Sequence, residues 1–126
     1  MTTSDLEQLI REMDPQLRDG EWAFCVVPEK HAILGRAIAV FREDEGVTVI
    51  IPHKEAKTLG FEVRYVAAWI TLNVYSDLNA VGFLAVISRA LAGAGISCNV
   101  FSAVHHDHLF VAVEDGKRAV EVLRRL

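Results

Sequence analysis

Asp77-Leu-Asn-Ala-Val-Gly-Phe-Leu-Ala-Val-Ile-Ser-Arg-Ala-Leu-Ala-Gly-Ala-Gly-Ile96 lies between two strand-like runs, residues 69–75 and 96–102. The first run alternates, with Ile70, Leu72 and Val74 on one face and Trp69, Thr71, Asn73 and Tyr75 on the other. From about Ala80 to Ala94 the period changes. Phe83, Leu84, Ile87, Leu91 and Ala94 recur at helical spacing, with Ser88 and Arg89 outside, and Gly93 or Gly95 supplies the stop. The spacing therefore predicts a strand that opens into a helix, with Asn79 as its N-cap. Gly82 falls one turn inside, where glycine costs about 1 kcal/mol relative to alanine. Either something approaches it closely or the helix begins after it. A helix mouth of this kind offers unpaired amides, here those of Val81, Gly82 and Phe83, to a small carboxylate. Asp77 is placed to take an ammonium on the same ligand, and an α-amino acid carries both charges a short distance apart.

Downstream, residues 97–102 and 108–113 read as two strands joined by a turn. A last helix begins at Glu114-Asp115 and carries Lys117, Arg118, Arg124 and Arg125 later, which suits the helix dipole. Ala119, Val120, Leu123 and Leu126 are its expected sheet-facing residues. Upstream, Ser4-Asp-Leu-Glu7 is a capping-box pattern before a short amphipathic helix that ends near Asp14-Pro15. Residues 21–28, 36–43, 47–51 and 61–67 read as strands. Gly46 lies in a hairpin turn, and 52–59 is a short helix closed by Gly60. Residues 28–35 fit either a loop or one helical turn.

The second half thus runs strand, helix, strand, strand, helix. The first half has the same order with its first crossover cut short, and a strand follows its short helix. This weak internal repeat points to an α+β, ferredoxin-like architecture with antiparallel sheets and helices on one face. The expected division is 1–67, including the N-terminal helix, and 68–126.

At 126 residues and 52% apolar the chain can bury a real core and is too hydrophobic for disorder. A net charge of −4 speaks against nucleic acid, whose binders show a basic face. The longest apolar run, 66–72, is too short to span a bilayer, and the start of the chain shows no secretory pattern, so a cytoplasmic protein is expected. Cys25 and Cys98 sit far apart in strand-like contexts and read as reduced core residues.

Asn79-x-x-Gly82-Phe-Leu, then Leu91-x-x-x-Gly95-Ile96, then the hairpin to Leu109-Phe-Val111, resembles the ACT domain, an amino-acid-sensing module of biosynthetic enzymes. The run Asn99-Val-Phe-Ser-Ala-Val-His-His-Asp-His-Leu-Phe-Val111 resembles stand-alone bacterial proteins made of two tandem ACT-like units. These are akin to the regulatory units of aspartate kinase and to the arginine sensor CASTOR. The resemblance implies two tandem ACT-like units, the first degenerate. It implies effector binding between units, near the turn into the first helix and the start of the second strand, where Ile96 stands. Asn79 and Gly82 match motif positions. Asn99 matches a polar ligand contact, and Asp107 falls near an acidic one. Ser97 departs from the Asn common in aspartate-kinase-type units.

The function expected is non-catalytic, regulatory binding of an amino acid, with no cofactor, a homodimer as the default assembly and either a protein partner or the oligomer itself as readout. The candidate ligand-binding residues are Asp77, Asn79, Val81, Gly82, Phe83, Ile96, Asn99 and Asp107. Two other readings stand beside it. One is an interaction module whose ligand site has decayed, which Ser97 would fit. The other is metal binding through His105-His-Asp-His108, although consecutive side chains diverge in a tight turn and no second cluster lies nearby. Cys98 as a nucleophile would need a base, and no His is tied to it by spacing.

Overall fold

The computed structural model describes residues 5–126. Its elements run α1 (Leu6–Glu12), β1 (Pro15–Leu17), β2 (Trp22–Val27), a 3-10 turn (Ala32–Gly35), β3 (Ala39–Glu43), β4 (Gly46–Pro52), α2 (His53–Leu59), β5 (Val63–Leu72), α3 (Phe83–Gly93), β6 (Asn99–Ser102), β7 (Asp107–Ala112) and α4 (Gly116–Arg124). They form two compact units. One is Gly20–Ala67; the other joins the residues up to Asp19 to Ala68–Leu126. Strand β5 runs on from one unit to the other, so the two strands expected over 61–75 are a single strand that stops at Leu72.

In the Gly20–Ala67 unit the strand order is β3-β4-β2-β5. β2 pairs antiparallel with both β4 and β5, and β3 with β4. Period-two alternation puts the small residues Ala23, Cys25 and Val27 of β2 into the core with Val47, Val49 and Ile51 of β4. Ile33 of the 3-10 turn and Ala56 of α2 close that core. His31 caps the turn, its Nδ1 accepting from the Ile33 amide at 3.0 Å. The crossover that could be a loop or a helical turn is therefore a 3-10 turn.

In the other unit β7 lies between β5 and β6. The β6–β7 hairpin runs from Asn99 opposite Phe110 to Ser102 opposite Asp107. The far side of β5 is occupied by β1, with Pro15 opposite Leu72 and Leu17 opposite Ile70. The Arg18 amide donates to the Trp69 carbonyl at 2.8 Å and extends the pairing. A ferredoxin-like unit needs a fourth strand, which residues 68–126 lack after α4; β1 fills that place. The N-terminal helix accordingly packs with this unit and not, as expected from the sequence, with the residues up to 67. Leu9 of α1 and Met13 at its C-cap enter the same core as Ile70, Leu72, Phe83, Ile87, Leu91, Leu109, Val111 and Leu123. Leu126, expected on the sheet face of the last helix, lies beyond the helix end and is exposed.

Helix α1 is capped by Asp5, whose carboxylate accepts from the Gln8 amide at 3.2 Å. Ser4 of the expected capping box lies outside the described residues. Gly116 opens α4 where the helix meets the sheet: a Cβ there would come within 2.9 Å of the Ala68 Cβ and 3.1 Å of Leu17. Only hydrogen fits at that approach.

Candidate functional site

The loop between β5 and α3 sets the site. Residues 77–80 close a turn in which the Asp77 carboxylate accepts from the Asn79 amide at 2.8 Å and the Asp77 carbonyl from the Ala80 amide at 2.9 Å. Gly82 follows with φ +97°, a left-handed conformation that reverses the chain and serves as the N-cap of α3. The helix therefore starts at Phe83, three residues later than the spacing alone suggests. Asn79 is not its cap; the Asp77 carboxylate has already engaged the Asn79 amide in the turn. No side chain caps α3. The first helical bond is the Val86 amide to the Gly82 carbonyl at 3.1 Å, so the amides without an acceptor in the helix are those of Phe83, Leu84 and Ala85. The set expected at Val81, Gly82 and Phe83 moves along by two residues.

A cleft of about 130 Å³ opens at this helix mouth. Asp77, Gly82 and Phe83 line it from the loop and helix side, and Ser102 and Asp107 from the end of the β6–β7 hairpin. Ser76 joins them. Asp107 is only 5% exposed and lines the cleft. The cleft is thus bounded by two carboxylates, two hydroxyls and a helix N-terminus. A larger groove of about 450 Å³ also touches Gly82, but Leu6, Ala85, Val86 and Ala90 make it apolar and Arg89 is its one charged side chain. The smaller cleft has the chemistry for a small zwitterion; the larger groove does not.

Of the residues expected from the sequence, the structure gathers Asp77, Gly82, Phe83 and Asp107 at this cleft. Four others lie elsewhere. Val81 points to solvent and is 86% exposed, and Asn79 is exposed on the turn. Ile96 is core. Asn99 donates from its side-chain amide to the Phe110 carbonyl, its cross-strand partner, at 3.4 Å. Ser76 and Ser102 were not anticipated. Ser102 directly faces Asp107 across the hairpin, a register that only the structure supplies.

Among the described residues no three His, Cys, Asp or Glu side chains converge as ligands. The rings of the histidine-rich segment turn to aromatic neighbours, His106 lying 4.9 Å from Tyr75 between ring centres. Burial pushes the thiols of both Cys25 and Cys98 up, which leaves little thiolate at neutral pH.

ACT domain models match residues 2–68 and residues 64–125. The chain belongs to the ACT domain family. It carries two ACT domains in tandem. A crystal structure from Vibrio cholerae, of a protein described as of unknown function and a possible transport protein, is similar to this tandem ACT chain: 37% identity, TM-score 0.86, 97% of this chain and 95% of that one. An Agrobacterium tumefaciens protein is similar at 18% identity and TM-score 0.65, over 88% of this chain and 86% of the other. The ligand-free regulatory subunit of aspartate kinase from Thermus thermophilus shares the ACT fold at TM-score 0.65 and 9% identity, over 88% of this chain and 94% of that one. No curated protein is close enough in sequence to count as a match. Among the described residues no helix is long and apolar enough to cross a membrane.

Proposed function

We propose that this tandem ACT protein is a non-catalytic regulatory module that binds a small amino acid-like zwitterion in the cleft between the mouth of α3 and the β6–β7 hairpin. The carrying observation is that Asp107, only 5% exposed, lines the same cleft as the N-terminus of α3, which has no side-chain cap. The ligand ammonium lies against Asp107, with Asp77 beside it. The ligand carboxylate accepts from the amides of Phe83 and Leu84 and gains from the helix dipole. Ser76 and Ser102 offer hydroxyls to either group. Family membership supports a regulatory role, and the fold shared with a regulatory subunit is consistent with it.

Binding regulates by linkage: the ligand favours whichever arrangement it binds more tightly and shifts the population by that difference. A second copy of the chain or a protein partner reads the change, and a homodimer is the simplest assembly. The exposed apolar residues Leu78, Val81 and Val104, on the loop before α3 and on the hairpin turn, suit such a contact.

A thermal-shift screen with the twenty amino acids at millimolar concentration tests this reading. At a hundred times its dissociation constant a ligand adds about 2.7 kcal/mol of stability, so a true ligand raises the midpoint by several degrees. Asp107→Asn abolishes the rise while leaving the unliganded midpoint unchanged or higher. If no amino acid moves the midpoint, the decayed-module reading replaces this one.

A further inference from the structure

The face of β5 and β7 that carries the side chains of Trp69, Thr71 and His108 holds a polar network that the cleft does not use. The Trp69 indole Nε1 donates to His108 Nδ1 at 3.0 Å. An indole nitrogen only donates, so Nδ1 must carry no proton and the neutral ring is protonated at Nε2. The Thr71 hydroxyl lies 3.2 Å from the same Nδ1. Arg18, from the segment after β1, donates to the Thr71 hydroxyl oxygen at 3.4 Å, which leaves the Thr71 hydrogen for His108. Its guanidinium also sits 4.2 Å above the Trp69 ring centre. Thr71 is 2% exposed and His108 half-buried.

We propose that His108 is a proton-sensitive latch, which as a neutral ring holds β7 to β5 through Trp69 and Thr71 and as an imidazolium releases it. Proton uptake at Nδ1 would set two donors against each other across the indole contact and reverse the Thr71 contact, the ring then donating to the hydroxyl oxygen that already accepts from Arg18. The charged groups around the ring are Arg18 from the β1 side, His106 from the hairpin turn and Asp107 from β7 itself. Burial of the ring holds its pKa below the usual histidine range, with the nearby His106 and Arg18 acting in the same direction and Asp107 opposing them. The sign follows. A ring that is harder to protonate folded than unfolded contributes its full stability above about pH 6.5. That contribution is lost as pH falls from there towards the folded value. Asp107 directly precedes His108 on β7, so the latch also holds the strand that brings Asp107 to the cleft. That consequence for ligand binding rests on the proposed function; the latch does not.

The test is an NMR titration of the full chain between pH 8 and 5, following the His108 ring carbon and the Trp69 indole N–H. The expected result is a His108 midpoint below the ordinary value, with the indole proton shifting at that same midpoint. A His108 midpoint at or above the ordinary value, or an indole signal that ignores it, overturns the latch. A second measurement compares thermal midpoints of the wild-type chain and His108→Gln, whose side-chain oxygen accepts from the indole but does not titrate. The wild type loses more than the variant between pH 7.5 and 5.5; equal losses overturn the proposal. If the variant does not fold, the wild-type titration alone decides. Neither measurement uses an amino acid ligand, so failure of the screen above and failure of the latch are distinguishable.

Discussion

Gly82 shows how one backbone angle places the site. Its φ of +97° turns the chain into α3 at the cleft that Phe83 and Leu84 line. Space is not the reason for glycine here: a Cβ would meet only the Leu6 Cδ2, at an ordinary 3.5 Å. Conformation is the reason, since a left-handed L-residue costs about 1–2 kcal/mol. Gly82→Ala is therefore expected to lower stability in urea by about that amount. Gly35→Ala provides the contrast, because a Cβ there meets nothing within 4 Å and no positive φ constrains it. It should change stability by no more than about 0.5 kcal/mol. If both variants lose equally, the left-handed turn is not what Gly82 supplies. Asp107 makes the complementary point about side chains. It is 5% exposed as a residue yet lines the cleft, where the ammonium of the proposed ligand would meet it.

At the scale of the element, β1 decides which unit the N-terminal residues join. Its three residues pair with Ile70–Leu72, and α1 with its C-cap just before it sends Leu9 and Met13 into the core under β5, α3 and β7. Leu9→Ala should therefore cost about 2–5 kcal/mol, as for a fully buried leucine, seen as a lower urea midpoint. Leu59→Ala, at a residue 42% exposed in α2, should cost far less. Equal costs would mean that α1 is not part of the core. This strand was invisible in the sequence because three residues cannot display a period and Pro15 reads as a helix stop. The body of α3 was legible, since Phe83, Ile87 and Leu91 recur at helical spacing and are all buried. Its start was not, because spacing does not encode the turn that Asp77 closes with its own carboxylate. Half of the candidate site was reached in the same way. Asp77, Gly82 and Phe83 follow from reading a strand that opens into a helix. Asp107 came only through family resemblance, and Ser102 required the hairpin register.

Across the whole molecule, the two repeats are not equivalent. Each has a hairpin whose last cross-strand pair closes the turn, Ser102 with Asp107 in one and Glu43 with Gly46 in the other. Where one repeat has Asp107, the other has a glycine at φ +148°, a conformation that residues with side chains rarely adopt, and a Cβ there would also lie 2.7 Å from the Val26 Cγ1. The crossovers differ too. Helix α3 spans eleven residues with an uncapped N-terminus, whereas the corresponding crossover at 32–35 is a short 3-10 turn capped by His31. The Gly20–Ala67 unit thus has no counterpart of the α3 mouth or of Asp107. The consequence is stoichiometric. Calorimetry with whichever amino acid raises the thermal midpoint most should give one site per chain, and Asp107→Asn should remove it. Gly46→Asp should not add a second site. It should instead destabilise the chain by about 1–3 kcal/mol, because φ +148° at Gly46 strains any residue with a side chain. Two sites per chain, or a second site created by Gly46→Asp, would show that the repeat with the short crossover retains binding capacity of its own and that the cleft at α3 is not what distinguishes the two.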